Sequence, residues 1–210
     1  MTLHCFRTDE LLNLNPITHY LVGWVALERR VESARDKALV CLAGLAPDLD
    51  GLGILVDAYT RFSDLPETSY YQDYHRMLGH GLPAAVAFAI AAAAMARSRM
   101  RVAVFAFVAV HLHFLCDLLG SRGSTPEDLW PIHYLEPVSG ALVVTWPWQW
   151  PLVSWQNMLI SIALLAVTFK RATEQGYSPL HGIHTTADLT LVAVLRKWRS
   201  QLNARFRTSR

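Results

Sequence analysis

The chain has 210 residues, enough for one sizeable domain or two very small ones. Hydrophobic residues make up 52% of the chain and charged residues 17%. An ordinary soluble domain has roughly 25% charged residues, so the composition favours a membrane protein. The formal net charge is only +2, and no basic stripe interleaved with aromatic residues occurs. Nucleic acid is therefore excluded as an expected partner.

The N-terminus and the cysteines exclude two further classes. Residues 1–15 carry several ionisable side chains and lack a continuous apolar stretch, so they are not expected to be a secretory signal. Cys5, Cys41 and Cys116 are an odd number, widely spaced, with no CxxC pair. They indicate neither a disulfide framework nor a thiolate zinc site. Any bound metal is therefore expected to have imidazole and carboxylate ligands.

Five apolar segments follow one another along the chain. They are residues 17–27, 38–46, 82–96, 102–119 and 155–169. The last three are long for strands and rich in Ala and Leu, and no Gly or Pro breaks their interiors, which predicts helices. The fourth segment approaches the roughly 20 residues that span a bilayer. We predict an all-α, membrane-embedded bundle of about five core helices, with a very apolar soluble bundle as the alternative.

Two long stretches between the segments are predicted to be loops. Residues 57–73 are polar and aromatic, and residues 120–151 contain five prolines and four tryptophans. Tryptophan collects at membrane interfaces, although aromatic packing beneath a long loop would explain the same composition.

The chain becomes more polar after the fifth segment. We therefore divide it into a membrane-associated helical domain, residues 1–170, and a C-terminal tail, residues 171–210. Within the tail, residues 188–202 place apolar side chains at helical spacing and basic side chains near the end, which predicts an amphipathic helix. That helix could lie on an anionic membrane surface or dock on its own domain.

His113 and Asp117 lie four residues apart in the fourth segment and so share one helix face. Imidazole and carboxylate so placed can bind one metal ion, or the acid can orient a metal-bound histidine. A hydrogen-bonded structural pair is the alternative. In lipid the metal interpretation gains weight, because buried ionisable groups are costly there and usually line a cavity or a site. His111 faces elsewhere on the helix and is expected to be structural or to support the ligands.

Five further side chains stand at the ends of other segments. His19 opens the first segment, Asp48 and Asp50 follow the second, and His75 and His80 precede the third. Helix capping, an Asx-turn or a solvated loop position would account for each one alone. If the helices alternate up and down, however, all five meet the His–Asp pair of the fourth segment at one end of the bundle, near the long loops.

Basic residues mark the other end of the predicted bundle. They lie between segments one and two, between segments three and four, and directly after segment five, within residues 29–37, 97–101 and 170–171. By the positive-inside rule this end faces the cytoplasm. The predicted metal site then faces the periplasm or the outer surface.

The motifs THYLVGW, APDLDG, YHRMLGHGL and HLHFLCDLLGS occur in this order along the chain. They resemble the YdjM-like family of LexA-regulated, membrane-bound metal-dependent hydrolases, whose pattern is approximately THxxxG, PDxDH, HRxxTHS and HxxxD. The match covers about residues 19–121. It implies a multi-pass protein of the bacterial inner membrane that binds a divalent metal. The implied ligands are His19, Asp48, Asp50, His75, His80, His113 and Asp117.

The chain departs from that pattern at three glycines. Gly51 stands where the family often has His, and Gly79 and Gly81 stand where it has Thr and Ser. The departures remove one possible ligand and some hydrogen bonds around the ligands, whereas the order of the other His and Asp positions is kept.

The family is also distantly similar to the all-helical zinc-dependent phospholipase C and nuclease fold. That fold has a HxxxD helix pair within a cluster of two or three zinc ions. By that similarity His113 and Asp117 are zinc ligands, and the site is completed by His19, Asp48 and either His75 or His80.

Together these features predict a membrane-bound hydrolase that binds one to three divalent metal ions, with zinc as the expected metal. Such ions lower the pKa of a bound water and stabilise charge on a phosphoryl oxygen. Asp50 or Asp48 would be the catalytic residue that bridges two ions or accepts the proton of the water. The expected substrate is a small-molecule or lipid phosphoester, with membrane lipid as a partner. The alternative is a non-enzymatic membrane protein with a structural or transported metal ion.

His133, His181 and His184 also lie outside this set. His133 lies on the long loop at the site end and could be an extra ligand or a substrate contact. His181 and His184 follow the basic residues after segment five, and no role in the site is expected for them.

Overall fold

The computed structural model describes residues 15–75 and 77–208, and the protein is all-α, as the sequence predicts. The α-helices are α1 Asn15–Leu27, α2 Ala34–Ala43, α3 Gly53–Arg61, α4 Tyr70–Tyr74, α5 Leu82–Met95, α6 Arg99–Gly120, α7 Trp155–Gln175 and α8 Thr185–Thr208. Two 3₁₀ segments are Glu28–Arg30 and Ala46–Leu52, and two short antiparallel strands are β1 Ile132–His133 and β2 Val143–Val144. Residues 1–14, which include Cys5 and most of the stretch predicted not to be a secretory signal, lie outside the described residues.

The hairpin of α5 and α6 forms the centre of the core, and α1 and α2 also pack on α6. Ala85, Ala89 and Ala92 recur at helical spacing on α5 and are buried. Val102 and Ala106 on α6 are fully buried as well. Because these side chains are small, the two helices can approach closely. Helix α6 therefore packs against several helices and can carry a site that they share.

Part of the surface of α6 is uncovered and apolar. Val104, Val108 and Leu115 are 50%, 37% and 49% exposed. Among the described residues, α6 is the one helix that is by itself long and apolar enough to cross a membrane. Helix α2 and residues 46–61 pass the same test together, although the chain bends by 53° between them, and α5 is apolar but shorter. The several membrane crossings expected from the sequence stay a prediction.

The predicted loop at residues 57–73 is partly helical, which corrects that prediction. Helix α3 continues to Arg61 and α4 begins at Tyr70. The carboxylate of Asp57 accepts hydrogen bonds from the N–H groups of Tyr70 and Tyr71, both at 2.7 Å. It therefore satisfies free donors at the start of α4 from a position 13 residues upstream. A cap from so far away leaves no local sequence signal.

The second predicted loop, residues 120–151, contains no α-helix after Gly120, the last residue of α6, and is fixed to the end of that helix. Asn157, in the first turn of α7, makes this connection. Its carbonyl oxygen accepts a hydrogen bond from Nε1 of Trp150 at 2.8 Å. Its amide nitrogen donates to the carbonyl oxygens of Gly120 and Leu152, each at 2.8 Å. One side chain thus holds α6, α7 and the long loop together.

The C-terminal helix α8 is longer than residues 188–202 and packs on α7. Val192 is buried, and Nε of Arg196 donates to the carbonyl oxygen of Thr173 at 3.1 Å. Leu189 and Trp198 remain 61% and 55% exposed. Docking on the domain is therefore confirmed for only part of the apolar face.

The predicted division of the chain at residue 170 falls inside α7, which continues to Gln175. The assignment of residues 1–170 and 171–210 to separate domains stays a prediction.

The three basic segments meet at one end of the bundle, which we call the basic end (residues 28–37, 97–101 and 170–177). Glu28 is fully buried there. Its carboxylate accepts a hydrogen bond from the hydroxyl of Tyr177 at 2.7 Å. It also lies 3.7 Å from Nζ of Lys37 and 3.8 Å from Nη1 of Arg171. The first and last basic segments are thus joined through one buried acid.

Asp36 joins the remaining basic segment to the same end. Its buried carboxylate accepts the N–H groups of Arg97 and Ser98 at 2.8 and 3.0 Å. Arg101 adds an exposed ion pair with Glu32 at 3.1 Å. These contacts agree with the alternating helix directions expected from the sequence.

Candidate metal centre

His113 and Asp117 lie one turn apart on the inward face of α6, and both are buried. Nε2 of His113 is 3.0 Å from Oδ2 of Asp117. From α1, Nε2 of His19 approaches the other carboxylate oxygen, Oδ1, at 3.2 Å. His19 is also buried and its ring lies 3.9 Å from that of His113, measured between centroids. The pair on α6 is therefore joined by the histidine that opens α1.

His80 and Asp48 reach the same place from two connecting segments. Nε2 of the fully buried His80 is 3.3 Å from Oδ2 of Asp117 and 3.2 Å from Nε2 of His113. Asp48, in the 3₁₀ segment after α2, places Oδ1 3.6 Å from Nε2 of His113. We call these side chains the His/Asp cluster; they are His19, Asp48, His80, His113 and Asp117.

Within the His/Asp cluster, two overlapping groups of side chains could each hold a metal ion. In each group one potential ligand atom per residue lies within 4.8 Å of the others. The first group is His19, His113 and Asp117, and the second is Asp48, His80 and His113.

Hydrogen bonds on the outer side of the cluster determine which ring nitrogens carry a proton. Nδ1 of His113 lies 2.9 Å from the carbonyl oxygen of Gly44, which can only accept. Nδ1 of His80 lies 3.0 Å from Oδ2 of the carboxylate of Asp50. Each Nδ1 therefore donates. When the rings release their other proton, as metal binding requires, the lone pair is on Nε2, and both Nε2 atoms then direct it towards Asp117.

This arrangement fits a divalent metal. Nε2 of His80, Nε2 of His113 and Oδ2 of Asp117 are separated by 3.2, 3.3 and 3.0 Å. Atoms that carry only lone pairs repel one another at such distances, so either a proton or a metal cation must lie between them. Tetrahedral nitrogen and oxygen ligands at about 2.0–2.2 Å from a zinc ion would themselves be about 3.3 Å apart. The observed spacing is therefore that of a ligand set.

Unsatisfied buried atoms support the same conclusion. Both ring nitrogens of His19, Oδ2 of Asp48 and Oδ2 of Asp117 make no well-formed hydrogen bond among the described residues. Nε2 of His19 is near Asp117, but their contact at 3.2 Å does not have hydrogen-bond geometry. Buried polar atoms are rarely left without a partner, because desolvation then costs about 1–3 kcal/mol for each group.

The potential in the cluster attracts positive charge. Burial alone lowers the pKa of His80, but its hydrogen bonds and charge interactions with Asp117 and Asp50 raise it to about 9. An imidazole that is protonated more readily in the protein than in water lies in a negative potential. The same potential favours a metal cation, which competes with the proton for this nitrogen.

Asp50 and His75 lie beside the cluster and belong to neither metal-binding group. Oδ1 of Asp50 is 2.7 Å from Nδ1 of His75. Oδ2 accepts the N–H of Gly79 at 2.9 Å as well as the bond from His80. Both carboxylate oxygens are thus in use, and the geometry gives Asp50 the role of orienting His80. Direct metal binding by Asp50 or His75, and catalysis by Asp50, stay predictions.

Gly79 is a functional position that the sequence shows only as a departure from a pattern. A Cβ atom at this residue would collide with the carbonyl oxygen of Pro47 and lie 3.0 Å from Oδ2 of Asp50. Only glycine lets the backbone approach Asp50 closely enough to donate its N–H. The carbonyl oxygen of Gly44, which orients His113, could not be predicted from the sequence either. Every residue has a backbone carbonyl, so the residue type gives no indication of this contact.

The other histidines of the described residues lie outside the two metal-binding groups. His111 bonds the carbonyl oxygen of Phe107 at 2.8 Å and the hydroxyl of Tyr134 at 3.0 Å, which confirms the expected structural role. His133 lies in β1, opposite Val143, and its role as an extra ligand or substrate contact stays a prediction.

His181 and His184 take part in the connection between α7 and α8. Nδ1 of His181 is 3.2 Å from Oδ2 of the buried Asp188, and Nδ1 of His184 accepts the N–H of Ala187 at 3.2 Å. These local bonds agree with the expectation that neither histidine has a role in the site.

Fold and site together define an all-helical protein with a buried His/Asp cluster that could hold a metal ion. The family model described as YdjM inner membrane protein matches residues 14–199. That range is most of the chain, and the protein belongs to this family. No curated protein and no solved structure shows a significant match. The distant similarity to the phospholipase C and nuclease fold stays a prediction.

Proposed function

We propose that the protein is a membrane-embedded, metal-dependent hydrolase that cleaves a phosphoester. The observation that carries the proposal is the convergence of two Nε2 atoms, from His80 and His113, on the buried carboxylate of Asp117. Imidazole and carboxylate ligands of this kind suit zinc best. A bound zinc ion supplies a water of lowered pKa and stabilises negative charge on a phosphoryl oxygen.

The number of ions follows from the ligand atoms. Nε2 of His113 has one lone pair and binds one ion at a time, although His113 belongs to both groups. The carboxylate of Asp117 has two oxygens, one facing His19 and one facing His80 and His113. The side chains of the cluster would therefore suffice for one ion or for two.

Asp48 is the side chain of the cluster that has the properties of a general base. Its side chain is 21% exposed, whereas those of His19, His80 and His113 are fully buried and that of Asp117 is 2% exposed. Its Oδ2 has no hydrogen-bond partner among the described residues. In the proposed reaction Asp48 accepts the proton of the attacking water. A purely structural metal site would be closed on all sides, so the exposed edge at Asp48 favours an enzyme.

Exposed apolar side chains support embedding of the protein in lipid. On α7, Trp155, Met158 and Leu165 are 65%, 55% and 55% exposed, and the exposed apolar residues of α6 add to this surface. Exposed apolar area of this extent is unusual on a soluble monomer. With the basic end at the cytoplasm, the positive-inside rule directs the His/Asp cluster towards the periplasmic side of the inner membrane.

The test is to measure metal content and hydrolysis on the same preparations. Purified protein from metal-replete expression is compared with the double variant His113→Ala, Asp117→Ala and with the control His184→Ala. We expect stoichiometric metal in the unmodified protein and in the control, and loss of metal from the double variant. Hydrolysis of bis(p-nitrophenyl) phosphate should depend on added zinc and be lost only in the double variant.

Two results would contradict the proposal. Unmodified protein free of metal would remove its basis. Stoichiometric metal without hydrolysis of any phosphomonoester, phosphodiester or phospholipid would favour the alternative, a non-enzymatic membrane protein with a structural or transported ion.

A further inference from the structure

A cavity of about 510 Å³ lies between α1, the C-terminal end of α6 and the first turns of α7. This volume falls within the roughly 300–1,000 Å³ typical of small-molecule sites. Its walls include the large apolar side chains of Leu119, Leu152, Trp155 and Met158. The cavity is separate from the described hydrogen-bond network of the basic end.

The polar side chains that line the cavity bond one another rather than facing an occupant. Oγ1 of Thr18 and Oγ of Ser161 form a hydrogen bond of 3.0 Å. The amide of Asn157 accepts from the indole of Trp150 and donates to two backbone carbonyls. Trp150 is held in place by the same bond, so the wall is formed in advance. An occupant therefore meets a mainly apolar surface and is bound through hydrophobic contact.

The inner wall of the cavity is the outer side of the His/Asp cluster. Thr18 directly precedes His19, and Cys116 directly precedes Asp117; both Thr18 and Cys116 line the cavity. The side chain of Cys116 also interacts with His19. A molecule in the cavity is thus separated from the metal ligands by a single layer of side chains.

The rim of the cavity is apolar and open to the surroundings. Val153, Trp155 and Met158 line it and are 77%, 65% and 55% exposed. Trp155 and Met158 belong to the surface of α7 that we place in lipid, and Val153 lies just before this helix. An apolar opening on that surface admits molecules from the hydrocarbon of the membrane rather than from water.

We propose that this cavity binds one long alkyl chain of a membrane phospholipid, whose phosphoester group is the substrate of the His/Asp cluster. The inference rests on the proposed function and names its substrate class. It follows from the apolar lining, the opening towards lipid and the single layer of side chains between cavity and ligands. Smaller, water-soluble phosphoesters would use the cluster without the cavity.

Binding can be tested without any hydrolysis. The unmodified protein is reconstituted in phosphatidylglycerol vesicles with a trace of a phospholipid that carries a photoreactive diazirine near the end of one acyl chain. We expect crosslinks on residues 150–161 and at the ends of α1 and α6 that line the cavity. Crosslinks spread evenly over the exposed faces of α5 and α6, with no enrichment at the cavity, would overturn the proposal.

A matched pair of variants on α7 tests the role in catalysis. Ser161→Phe fills the cavity, whereas Leu159→Phe changes a side chain that is 50% exposed and does not line it. Displacing even two methylene groups of the chain should slow phospholipid hydrolysis about 10-fold in Ser161→Phe. Metal content and hydrolysis of bis(p-nitrophenyl) phosphate should be unchanged in both variants, and crosslinking should fall only in Ser161→Phe.

The outcomes separate the two proposals. One outcome is that Ser161→Phe reduces hydrolysis of phospholipid and of bis(p-nitrophenyl) phosphate equally, and another is that Ser161→Phe and Leu159→Phe hydrolyse phospholipid equally fast. Either result would show that the cavity is not the chain-binding site, and the proposed function would still stand. Crosslinks at the cavity in a protein that hydrolyses no phosphoester would contradict the proposed function, and with it the assignment of the bound lipid as substrate. If Ser161→Phe does not fold, the crosslinks on the unmodified protein decide.

Discussion

Each end of the bundle buries a carboxylate, but the two carboxylates have different partners. At the basic end, Glu28 lies among groups with fixed positive charge, Lys37 and Arg171, and accepts a hydrogen bond from Tyr177. At the other end, Asp117 is surrounded by three imidazoles, those of His19, His80 and His113. The partners of the first carboxylate always carry positive charge, whereas the imidazoles around the second are positive only when protonated, and a metal cation can take the place of those protons.

This difference separates a structural network from a site. A buried ion pair that is complete in the folded chain holds segments together and requires nothing else. Buried ionisable side chains whose interactions are incomplete cost free energy. Such side chains persist mainly where they bind a ligand or take part in a reaction. The two ends therefore contribute differently to the protein: the basic end to stability and the His/Asp cluster to function.

The largest effect on stability is expected from Glu28→Gln. This change leaves Lys37 and Arg171 without their buried counter-charge, which costs about 3–5 kcal/mol and should lower the midpoint of thermal unfolding by roughly 10 °C. The comparison is Asp117→Asn in metal-free protein, where the amide can donate to an Nε2 lone pair and little stability should be lost. Thermal unfolding in detergent measures both. Equal destabilisation by the two variants would show that the two carboxylates do not differ in this way.

An intermediate effect is expected from Asp50→Asn. An amide cannot accept hydrogen bonds on both sides as the carboxylate does from His75, Gly79 and His80. Loss of the group that orients a ligand typically weakens metal binding 10–100-fold. Competition with a chelator measures the change, with His184→Ala as the control. If metal is absent from Asp50→Asn even at saturating zinc, Asp50 is a ligand itself, as the sequence suggested.

The smallest effect is expected from His133→Ala. His133 belongs to neither metal-binding group and lies in the short strand β1. Substitutions away from the core and the site usually change free energies by no more than about 0.5 kcal/mol. Metal affinity and the midpoint of unfolding should stay close to those of the unmodified protein. A clear loss of metal would make His133 a further ligand.

The helical core could be predicted from the sequence because it depends on local patterns. The runs of Ala, Leu and Val at residues 82–96, 102–119 and 155–169 place α5, α6 and α7 to within a few residues, except that α7 extends to Gln175. The alternation of helix directions was enough to predict that His19, Asp48 and His80 lie next to the inward face of α6. That reasoning needs only the order of helices and the position of each residue within them.

The rest depends on contacts between residues that are distant in the chain. The cap that Asp57 supplies to α4 and the carbonyl of Gly44 that orients His113 involve neither periodicity nor residue type. The same limit separates Asp50 from Asp48: both stand in APDLDG, yet Asp48 lies in a metal-binding group and Asp50 supports one. Two residues along a 3₁₀ segment point in different directions, which the pattern of acids alone does not show.

The outer hydrogen bonds of the two histidines have a consequence for which cations the protein can accept. His113 is held by the carbonyl oxygen of Gly44, directly after α2, and His80 is held by Asp50. The rings cannot swing outward to fit a larger ion. Calcium takes six to eight oxygen ligands at about 2.3–2.6 Å, more and farther than this pocket offers. Because the rings of His80 and His113 are held in place, the site selects ions by size. We expect it to bind small transition-metal ions more tightly than the abundant alkaline-earth ions.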